Sequence, residues 1–362
     1  MSPVPEIADR PVRVLDYRPL AAAVLPANTW GYVEGGAGDE HSLGWNEQSW
    51  QEIRLWPRAL VDVSTIDTSL SLLGTALAHP IALAPTAAHS LYHPGAESQT
   101  LVGAGGGDAL AVMSTLGSTP VDELGRVAKG PWWFQLYVQA DRDFTTDLVQ
   151  RAVVAGAGAI VLTVDTPLLG ARDRDRRMGG HTVDAMRPPN VAPAAHSIDP
   201  GARPHQRVYN PYLDPSLTWD TLSWLVEISP VPVLTKGVLR ADDARRAVDA
   251  GAGGIVVSNH GGRNLDTAVA TSTALPGVVE AVAGNLPVLV DGGIRRGTDI
   301  AKALCLGADA VLVGRPAIWA LAAGGADGVT HLLDLLRSEL LMAMGLLGAP
   351  TLQDLTGDLL QQ

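Results

Sequence analysis

Short apolar runs recur along the chain at the spacing of a repeated strand–helix unit. Eight of them predict β-strands, at residues 80–85, 110–114, 132–138, 159–165, 231–236, 254–258, 286–291 and 308–314. Several runs are continuously apolar, which is typical of parallel strands that are covered on both faces. Helical patterns fall between most of them, with small apolar residues on one face and charged residues on the other, as in 240–250. The pattern therefore predicts a series of β/α units.

Eight such units favour one α/β domain over residues 1–362, folded as a closed (β/α)8 TIM barrel. An open doubly wound sheet is the alternative fold, but it usually carries a glycine fingerprint that 103–107 fails to match, because Asp108 holds the third glycine position.

Two segments lie outside the repeat. Residues 1–75 are predicted to form an N-terminal helical cap. Residues 173–215, after the fourth strand, are rich in Pro, Arg, Asp and Gly and are predicted to form an active-site lid loop.

Composition and charge narrow the class of protein. The chain carries 26 Lys and Arg against 38 Asp and Glu, a formal net charge of −12, which disfavours nucleic acid or an anionic membrane as a partner. A single cysteine, Cys305, excludes an internal disulfide and reads as a packing residue. No apolar run approaches the ~18 residues of a membrane span, and residues 1–10 do not resemble a signal peptide. We expect a soluble cytoplasmic protein.

Nearly every predicted strand ends on a side chain that can form hydrogen bonds or carry out acid–base chemistry. In a closed barrel the carboxyl ends of the strands converge on one pocket, where active sites are built. In chain order these residues are Pro85, Thr86, Ala87, Ser114, Gln135, Tyr137, Thr163, Asp165, Lys236, Ser258, His260, Asp291, Gly314 and Arg315. We therefore expect one central site that these residues share.

The last two strand ends carry a pattern that is typical of phosphate binding. Asp291-Gly292-Gly293-Ile294-Arg295 follows the seventh strand, and Gly314-Arg315-Pro316 follows the eighth. Loops at these places in TIM barrels commonly hold phosphate through backbone N–H groups, a helix N-terminus and arginine forks. Plain glycine turns with solvated arginines are the alternative. The coincidence of two such loops favours the phosphate interpretation.

These motifs resemble the FMN-dependent L-2-hydroxy-acid oxidases and dehydrogenases, a family with glycolate oxidase, lactate oxidase and mandelate dehydrogenase among its members. The resemblance is carried by Ser-Asn-His-Gly-Gly-Arg at 258–263 and Asp-Gly-Gly-Ile-Arg-Arg-Gly at 291–297. Further matches, in order, are 32–40, 85–87, 133–137, 162–167, 236–237 and 314–316. The resemblance implies FMN as the cofactor and oxidation of an L-2-hydroxy acid to the 2-oxo acid.

The resemblance also implies a role for each matching residue. His260 would be the catalytic base, Asp165 would orient it, and Tyr137 would bond the substrate hydroxyl. The substrate carboxylate would be bound by Arg263, Tyr32 and Arg172. Lys236 would stabilise the negative charge of the reduced flavin. The other cofactor-binding residues would be Pro85, Thr86, Ala87, Ser114, Gln135, Thr163 and Ser258 at the ring, Asp291 at the ribityl chain, and Gly292, Gly293, Arg295, Gly314 and Arg315 at the phosphate.

Departures from the family pattern leave the substrate and the electron acceptor open. Leu116 stands where plant glycolate oxidases carry a bulky aromatic residue, and Met178 stands where the family usually has asparagine. O2 is the simplest acceptor and would give H2O2, whereas a soluble dehydrogenase of the mandelate type would use another acceptor. A lactate monooxygenase outcome is a further alternative. The family implies a homotetramer or homo-octamer.

Two hypotheses from other classes remain. The first is a non-redox phosphate-binding barrel, an isomerase or synthase, which would not need Lys236, His260 and Arg263 together. The second is a catalytically idle flavin barrel that serves as a binding module. His89 and His93 have helical metal-ligand spacing, but Pro94 follows directly and no carboxylate ligand is evident, so no metal site is predicted.

Overall fold

Eight parallel strands close into a barrel in this computed structural model, which describes residues 11–179, 188–192 and 213–361. Each strand pairs with the next in the chain, and the last pairs with the first. The strands are β3 (Ile81–Leu83), β4 (Leu110–Ser114), β5 (Trp132–Leu136), β6 (Ile160–Thr163), β7 (Val233–Val238), β8 (Gly254–Val257), β9 (Val288–Val290) and β10 (Ala310–Val313). The predicted TIM barrel is therefore confirmed, with a strand at each of the eight predicted places.

The interior of the barrel is apolar toward the amino ends of the strands and mostly polar at their carboxyl ends. One buried cluster contains the inward-facing apolar residues Ala82, Leu110, Val112, Trp133, Val161, Leu234, Val256, Leu289 and Leu312. Because side chains alternate along a strand, the next inward positions lie two residues further on. They are Ala84, Ser114, Gln135, Thr163, Lys236, Ser258, Asp291 and Gly314. The period of the strands therefore brings these residues together at the carboxyl end of the barrel.

A hairpin joins the lower part of this interior. Its strands, β1 (Leu70–Leu72) and β2 (Thr75–Leu77), are antiparallel. Leu72 and Leu77 belong to the same buried cluster as the inward-facing residues of the barrel. The hairpin immediately precedes β3 and so covers apolar side chains that would otherwise meet water at the amino end of the strands.

The described part of the N-terminal cap, from residue 11 on, contains the α-helices α1 (Tyr17–Val24), α2 (Ala27–Glu34) and α3 (His41–Glu52). They lie within the predicted cap range, which also contains β1. Trp50 of α3 donates its indole N–H to Gly292 O at 2.8 Å, and the side-chain amides of Asn46 and Asn259 exchange two hydrogen bonds of 2.8 Å. These contacts dock α3 directly onto the loops that follow β8 and β9.

The outer layer consists of helices that follow the strands of the barrel. They are α4 (Ala96–Gly106), α5 (Val121–Val127), α6 (Arg142–Val154), α7 (Asp173–Arg177), α8 (Trp219–Ile228), α9 (Ala241–Asp249), α10 (Thr271–Val282), α11 (Gly297–Cys305) and α12 (Arg315–Leu347), the last interrupted at Gly325. Much of the predicted lid, 180–187 and 193–212, lies outside the described residues. Within the described ranges, no helix is long and apolar enough to cross a membrane.

Candidate active site

The imidazole of His260 lies between a carboxylate and a phenol at the carboxyl end of the barrel. Its Nδ1 is 2.8 Å from Asp165 Oδ1, and its Nε2 is 3.5 Å from the hydroxyl of Tyr137. An ionised carboxylate only accepts hydrogen bonds, so Nδ1 carries the proton and Nε2 keeps its lone pair. The side chain of His260 is 20% exposed. Nε2 of His260 is therefore a base that points toward the pocket, and Asp165 holds the ring at the opposite nitrogen, Nδ1.

The backbone around His260 is held in an unusual conformation. His260 itself has φ +58°, which is uncommon for a residue with a side chain. Its N–H donates to Ser258 Oγ at 3.0 Å, and the N–H of Gly262 donates to Asn259 O at 3.0 Å. A tight turn after β8 therefore projects the imidazole over the barrel, at the place where the sequence predicted it.

Electrostatics favour a neutral histidine beside an ionised aspartate. Burial lowers the pKa of His260, and Asp165 partly opposes this shift. Burial alone would raise the pKa of Asp165, but His260, Lys236 and Thr166 outweigh it and hold that pKa below its usual value. Burial, followed by the Asp165 charge, raises the pKa of Tyr137. At neutral pH the site therefore combines an unprotonated base with a protonated phenol.

Lys236 brings a buried positive charge into the polar layer. Its Nζ is 2.9 Å from Asp291 Oδ2 and donates to Ser258 Oγ at 2.9 Å. Burial would lower the pKa of Lys236, but Asp291 and Asp165 raise it, so the ammonium stays charged. Strand β7 has a register shift after this lysine, at Gly237, whose φ is +114°. A Cβ there would lie 2.6 Å from Asp165 Cβ, so the glycine permits the close approach of Asp165.

Three of the residues predicted to bind the flavin ring, Ser114, Gln135 and Thr163, form one hydrogen-bonded layer. Gln135 accepts from Ser114 Oγ at 3.0 Å and donates from Nε2 to Thr163 Oγ1 at 2.9 Å. Next to this layer, Thr86 Oγ1 lies 2.7 Å from His89 Nε2, and the other ring nitrogen of His89 lies 2.9 Å from Thr100 Oγ1. His89 is thus a buried structural residue behind Thr86.

Two arginines face an aromatic ring of the cap. The guanidinium carbons of Arg263 and Arg172 lie 5.0 Å and 6.0 Å from the ring centroid of Tyr32. Arg263 also donates to the carbonyl oxygens of Tyr32 and Gly35, both at 2.8 Å, near the carboxyl end of α2. Arg172 Nε is buried and has no hydrogen-bond partner among the described residues. Two partly buried cations side by side form a favourable site for an anion such as a carboxylate.

The two arginines of the predicted phosphate loops differ in their hydrogen bonding among the described residues. Arg295 binds Glu47 Oε1 at 2.7 Å and lies over the ring of Trp319, while its Nε is buried with no partner among the described residues. Arg315 donates from Nε, Nη1 and Nη2 to the carbonyl oxygens of Val33, Gly261 and Gly35, at 2.9, 2.9 and 3.0 Å. Burial, then Arg263 and Arg295, lower the pKa of Arg315 to about 9.

The residues present fit FMN in their charge and hydrogen-bonding capacity. Asp291 Oδ1 is buried without a partner in the described part of the chain, as expected of an acceptor for the ribityl hydroxyls. Gly314 precedes α12, whose N-terminus with Arg295 suits a phosphate. Gly293 has φ +83°, and a Cβ there would lie 1.9 Å from Asn46 O. That glycine therefore lets α3 approach the phosphate loop.

The structure adds three residues that sequence reasoning missed. Thr166 Oγ1 donates to Asp165 Oδ1 at 2.9 Å, and Asn264 Nδ2 donates to Asp165 O at 2.9 Å. Tyr92 is buried, and its ring lies 6.4 Å from that of His89. Thr166 and Asn264 adjoin predicted residues in the sequence, which was a usable signal, whereas nothing in the sequence singled out Tyr92.

Comparisons with known proteins identify the family of this chain. Residues 21–362 match the family described as FMN-dependent dehydrogenase. L-Lactate oxidase of Nostoc sp. is 45% identical over 352 residues, covering 95% of this chain and 96% of the relative. A peroxisomal (S)-2-hydroxy-acid oxidase of Oryza sativa subsp. japonica is 44% identical over 352 residues, covering 96% and 94%. The crystal structure of mandelate oxidase superposes with a TM-score of 0.87 at 41% identity, covering 97% and 98%. The chain therefore belongs to the FMN-dependent dehydrogenase family.

Proposed function

We propose that this protein oxidises an L-2-hydroxy acid to the 2-oxo acid with FMN as cofactor and O2 as the final electron acceptor. The observation that carries the proposal is the geometry of His260, with Asp165 at 2.8 Å on one nitrogen and Tyr137 at 3.5 Å from the other. The oxidase names of the relatives support O2 as the acceptor. A non-redox barrel would not need the buried ammonium of Lys236 together with the His260 base and Arg263.

His260 acts as the base that removes the proton of the substrate hydroxyl. Its Nε2 accepts the proton of the substrate hydroxyl, while Asp165 holds Nδ1–H and stabilises the imidazolium that forms. Tyr137, which stays protonated, donates a hydrogen bond to the substrate oxygen as the carbonyl forms. Bound FMN would supply the two-electron acceptor for the carbon–hydrogen bond that is broken. Lys236 provides a fixed positive charge that compensates the negative charge developing near it.

The two arginines, Arg263 and Arg172, orient the substrate. Arg263 and Arg172 bind the carboxylate, and Tyr32 contributes a hydrogen bond and a ring face between them. Cofactor binding is assigned to Pro85, Thr86, Ala87, Ser114, Gln135, Thr163, Lys236, Ser258, Asp291, Gly292, Gly293, Arg295, Gly314 and Arg315. Arg315 donates three of the five N–H groups of its guanidinium to carbonyls, and the remaining two would be the donors to the phosphate.

The test is anaerobic reduction of the purified holoenzyme by a panel of L- and D-2-hydroxy acids, followed by admission of O2. The flavin absorbance should be bleached by an L-acid and should return with one H2O2 per oxo acid. Bleaching that O2 does not reverse would favour the dehydrogenase alternative, and oxidative decarboxylation would favour the monooxygenase. The proposal fails if no acid in the panel bleaches the flavin.

His260→Ala supplies the matched variant. It should retain FMN, because none of the described contacts of the imidazole is to a predicted phosphate residue, but should lose reduction by about 10²–10⁴-fold. A homotetramer or homo-octamer and a cytoplasmic location stay predictions. Sedimentation velocity of the holoenzyme measures the first, and fractionation of cells that produce the protein measures the second.

A further inference from the structure

A short loop of the cap contacts the backbone next to both arginines of the proposed carboxylate site. This cap loop, residues 35–40, joins α2 to α3, and its first three residues are buried. The N–H of Ala37 donates to Gly262 O at 2.8 Å, and the N–H of Gly38 donates to Ala171 O at 2.8 Å. Two consecutive N–H groups of one loop therefore bind two segments that are distant in the sequence.

The two carbonyls belong to the residues that immediately precede Arg263 and Arg172. Arg263 is also bound to the cap loop directly, because it donates to Gly35 O at 2.8 Å. The guanidinium carbons of the two arginines lie 5.0 and 6.0 Å from the ring of Tyr32, on the helix that leads into the cap loop. A carboxylate has two oxygens at a fixed separation, so its recognition depends on the spacing of the donors. The cap loop is placed where it can set that spacing.

Helix α7, which follows one of these arginines, is too short to be stable alone. It spans five residues, Asp173–Arg177. Its Arg174 forms a two-pronged salt bridge with Glu40 of the cap loop, with Nε 3.0 Å from Oε1 and Nη2 bonded to Oε2. Met178, directly after the helix, lies against α2, since a Cβ on Gly31 would be 2.3 Å from its Sδ. Helix α7 is thus attached to the cap at two places.

Glu40 connects the cap loop with α7. Its Oε1 accepts the N–H of Gly36 at 3.0 Å as well as the Nε–H of Arg174. Its own N–H donates to Ala37 O at 2.9 Å, so the residue closes the loop through both backbone and side chain. Its φ of +66° is uncommon for a residue with a side chain. One carboxylate therefore holds the loop in shape and binds the helix that follows Arg172.

We propose that Glu40 and Arg174 are positioning residues for the substrate carboxylate. Through their ion pair, the cap loop holds Arg172 at the distance from Arg263 at which one carboxylate binds both guanidinium groups. The inference rests on the proposed function, since it concerns the substrate of the same site. The carboxylate is not changed by the reaction, so its binding contributes equally to the ground state and the transition state. Loss of the ion pair should therefore raise KM and leave kcat nearly unchanged.

Glu40→Gln and Arg174→Gln, separately and together, test the proposal in the holoenzyme. Glutamine at position 40 keeps an acceptor for the N–H of Gly36 and removes the charge that binds Arg174. We expect each single variant to raise KM for the preferred L-2-hydroxy acid about five- to twentyfold, with kcat within about twofold of the parent. The double variant should have the KM of a single variant, because the two residues act as one pair.

Binding of an anion without turnover is the second measurement. Oxalate carries carboxylates but no carbon–hydrogen bond, so its dissociation constant for the oxidised holoenzyme, from calorimetric titration, reports on the anion site alone. We expect this constant to rise about fivefold or more in Arg174→Gln and to recover in part in Arg174→Lys, which keeps the charge. Arg176→Gln is the matched control on the same helix, because Arg176 pairs with Asp173 within α7 at 3.6 Å. It should leave both KM and oxalate binding unchanged.

Several results would overturn the proposal. An unchanged oxalate constant in Arg174→Gln, with FMN bound, does so even if Glu40→Gln does not fold. Additive effects in the double variant, or an equal loss in Arg176→Gln, do so as well, because the ion pair would then not be the cause. If the parent flavin is reduced by no hydroxy acid, the proposed function fails, whereas oxalate binding still tests the positions of the two arginines.

Discussion

At the scale of the residue, the site depends on two nitrogens of one ring having different partners. Asp165 binds Nδ1 of His260, and this leaves Nε2 as the base.

The sequence predicted which residues lie at the strand ends, because strand period and barrel topology together decide where such residues converge. These residues are His260, Lys236, Asp165 and Tyr137. The sequence did not predict the place of Tyr92, because that place follows from the packing of two loops, and the carbonyl partners of Arg315 lie 54 to 282 positions away in the sequence.

Replacing Asp165 by asparagine should change both the rate and its pH dependence. Because burial lowers the pKa of His260 and Asp165 raises it, loss of the carboxylate should lower that pKa further. The acid limb of the kcat/KM profile, where the base becomes protonated, should therefore move to lower pH, while kcat falls about 10²–10⁴-fold. Asp122→Asn, which removes an exposed carboxylate paired with Arg151, is the control and should leave the position of the limb unchanged. A limb that moves to higher pH in Asp165→Asn would contradict the assignment.

Replacing Arg263 by lysine should weaken substrate binding although the charge is kept. Lysine cannot supply the planar pair of donors that matches a carboxylate, nor the contacts to the carbonyls of Tyr32 and Gly35. We expect kcat/KM to fall about tenfold to a hundredfold, mainly through KM, in steady-state assays. Arg151→Lys, which alters an exposed ion pair with Asp122, is the control and should match the parent. Equal kinetics in both variants would remove Arg263 from the substrate site.

At the scale of the element, the register shift in β7 is what lets Asp165 and Lys236 occupy neighbouring places. The shift occurs between Lys236 and Val238, and Gly237 between them has a positive φ. Apolar runs predicted the strand, but a one-residue irregularity leaves no trace in such a pattern, so the sequence did not reveal it. The catalytic aspartate thus depends on a backbone feature of a different strand.

Gly237→Ala should therefore damage activity with little loss of folded protein. The new Cβ would meet Asp165 Cβ at 2.6 Å, in a backbone conformation that costs about 1–3 kcal/mol for a residue with a side chain. We expect kcat to fall at least tenfold while FMN stays bound. Gly277→Ala is the matched control, because its Cβ meets nothing within 4 Å and helix α10 should gain about 0.5–1 kcal/mol of stability. Thermal unfolding and kcat of both variants check the pair, and a fully active Gly237→Ala would refute the argument.

At the scale of the whole molecule, the cap and the barrel share the site. Arg263 and Arg315 extend from barrel loops to carbonyls near the end of α2, and Asn46 of α3 pairs with Asn259 next to the catalytic base. The barrel was predictable from eight repeated units. How the cap docks was not, because those contacts are between polar groups far apart in the chain, whose pairing no periodicity encodes. Cofactor, substrate and cap are therefore expected to stabilise one another.

Removing FMN and adding it back tests whether the cofactor stabilises the folded protein. Adding FMN to the apoprotein at a hundred times its dissociation constant should stabilise the folded state by about 2.7 kcal/mol, seen as a rise in Tm. Riboflavin, which lacks the phosphate, should raise Tm less at equal concentration. Arg295→Ala should reduce the difference between the two ligands, because Arg295 belongs to a loop assigned to the phosphate and its buried Nε has no partner among the described residues. Its neighbour Arg296, which pairs with Glu339 at 3.0 Å, is the control, and Arg296→Ala should keep the difference. Equal stabilisation by both ligands in the parent would mean that these loops do not bind the phosphate.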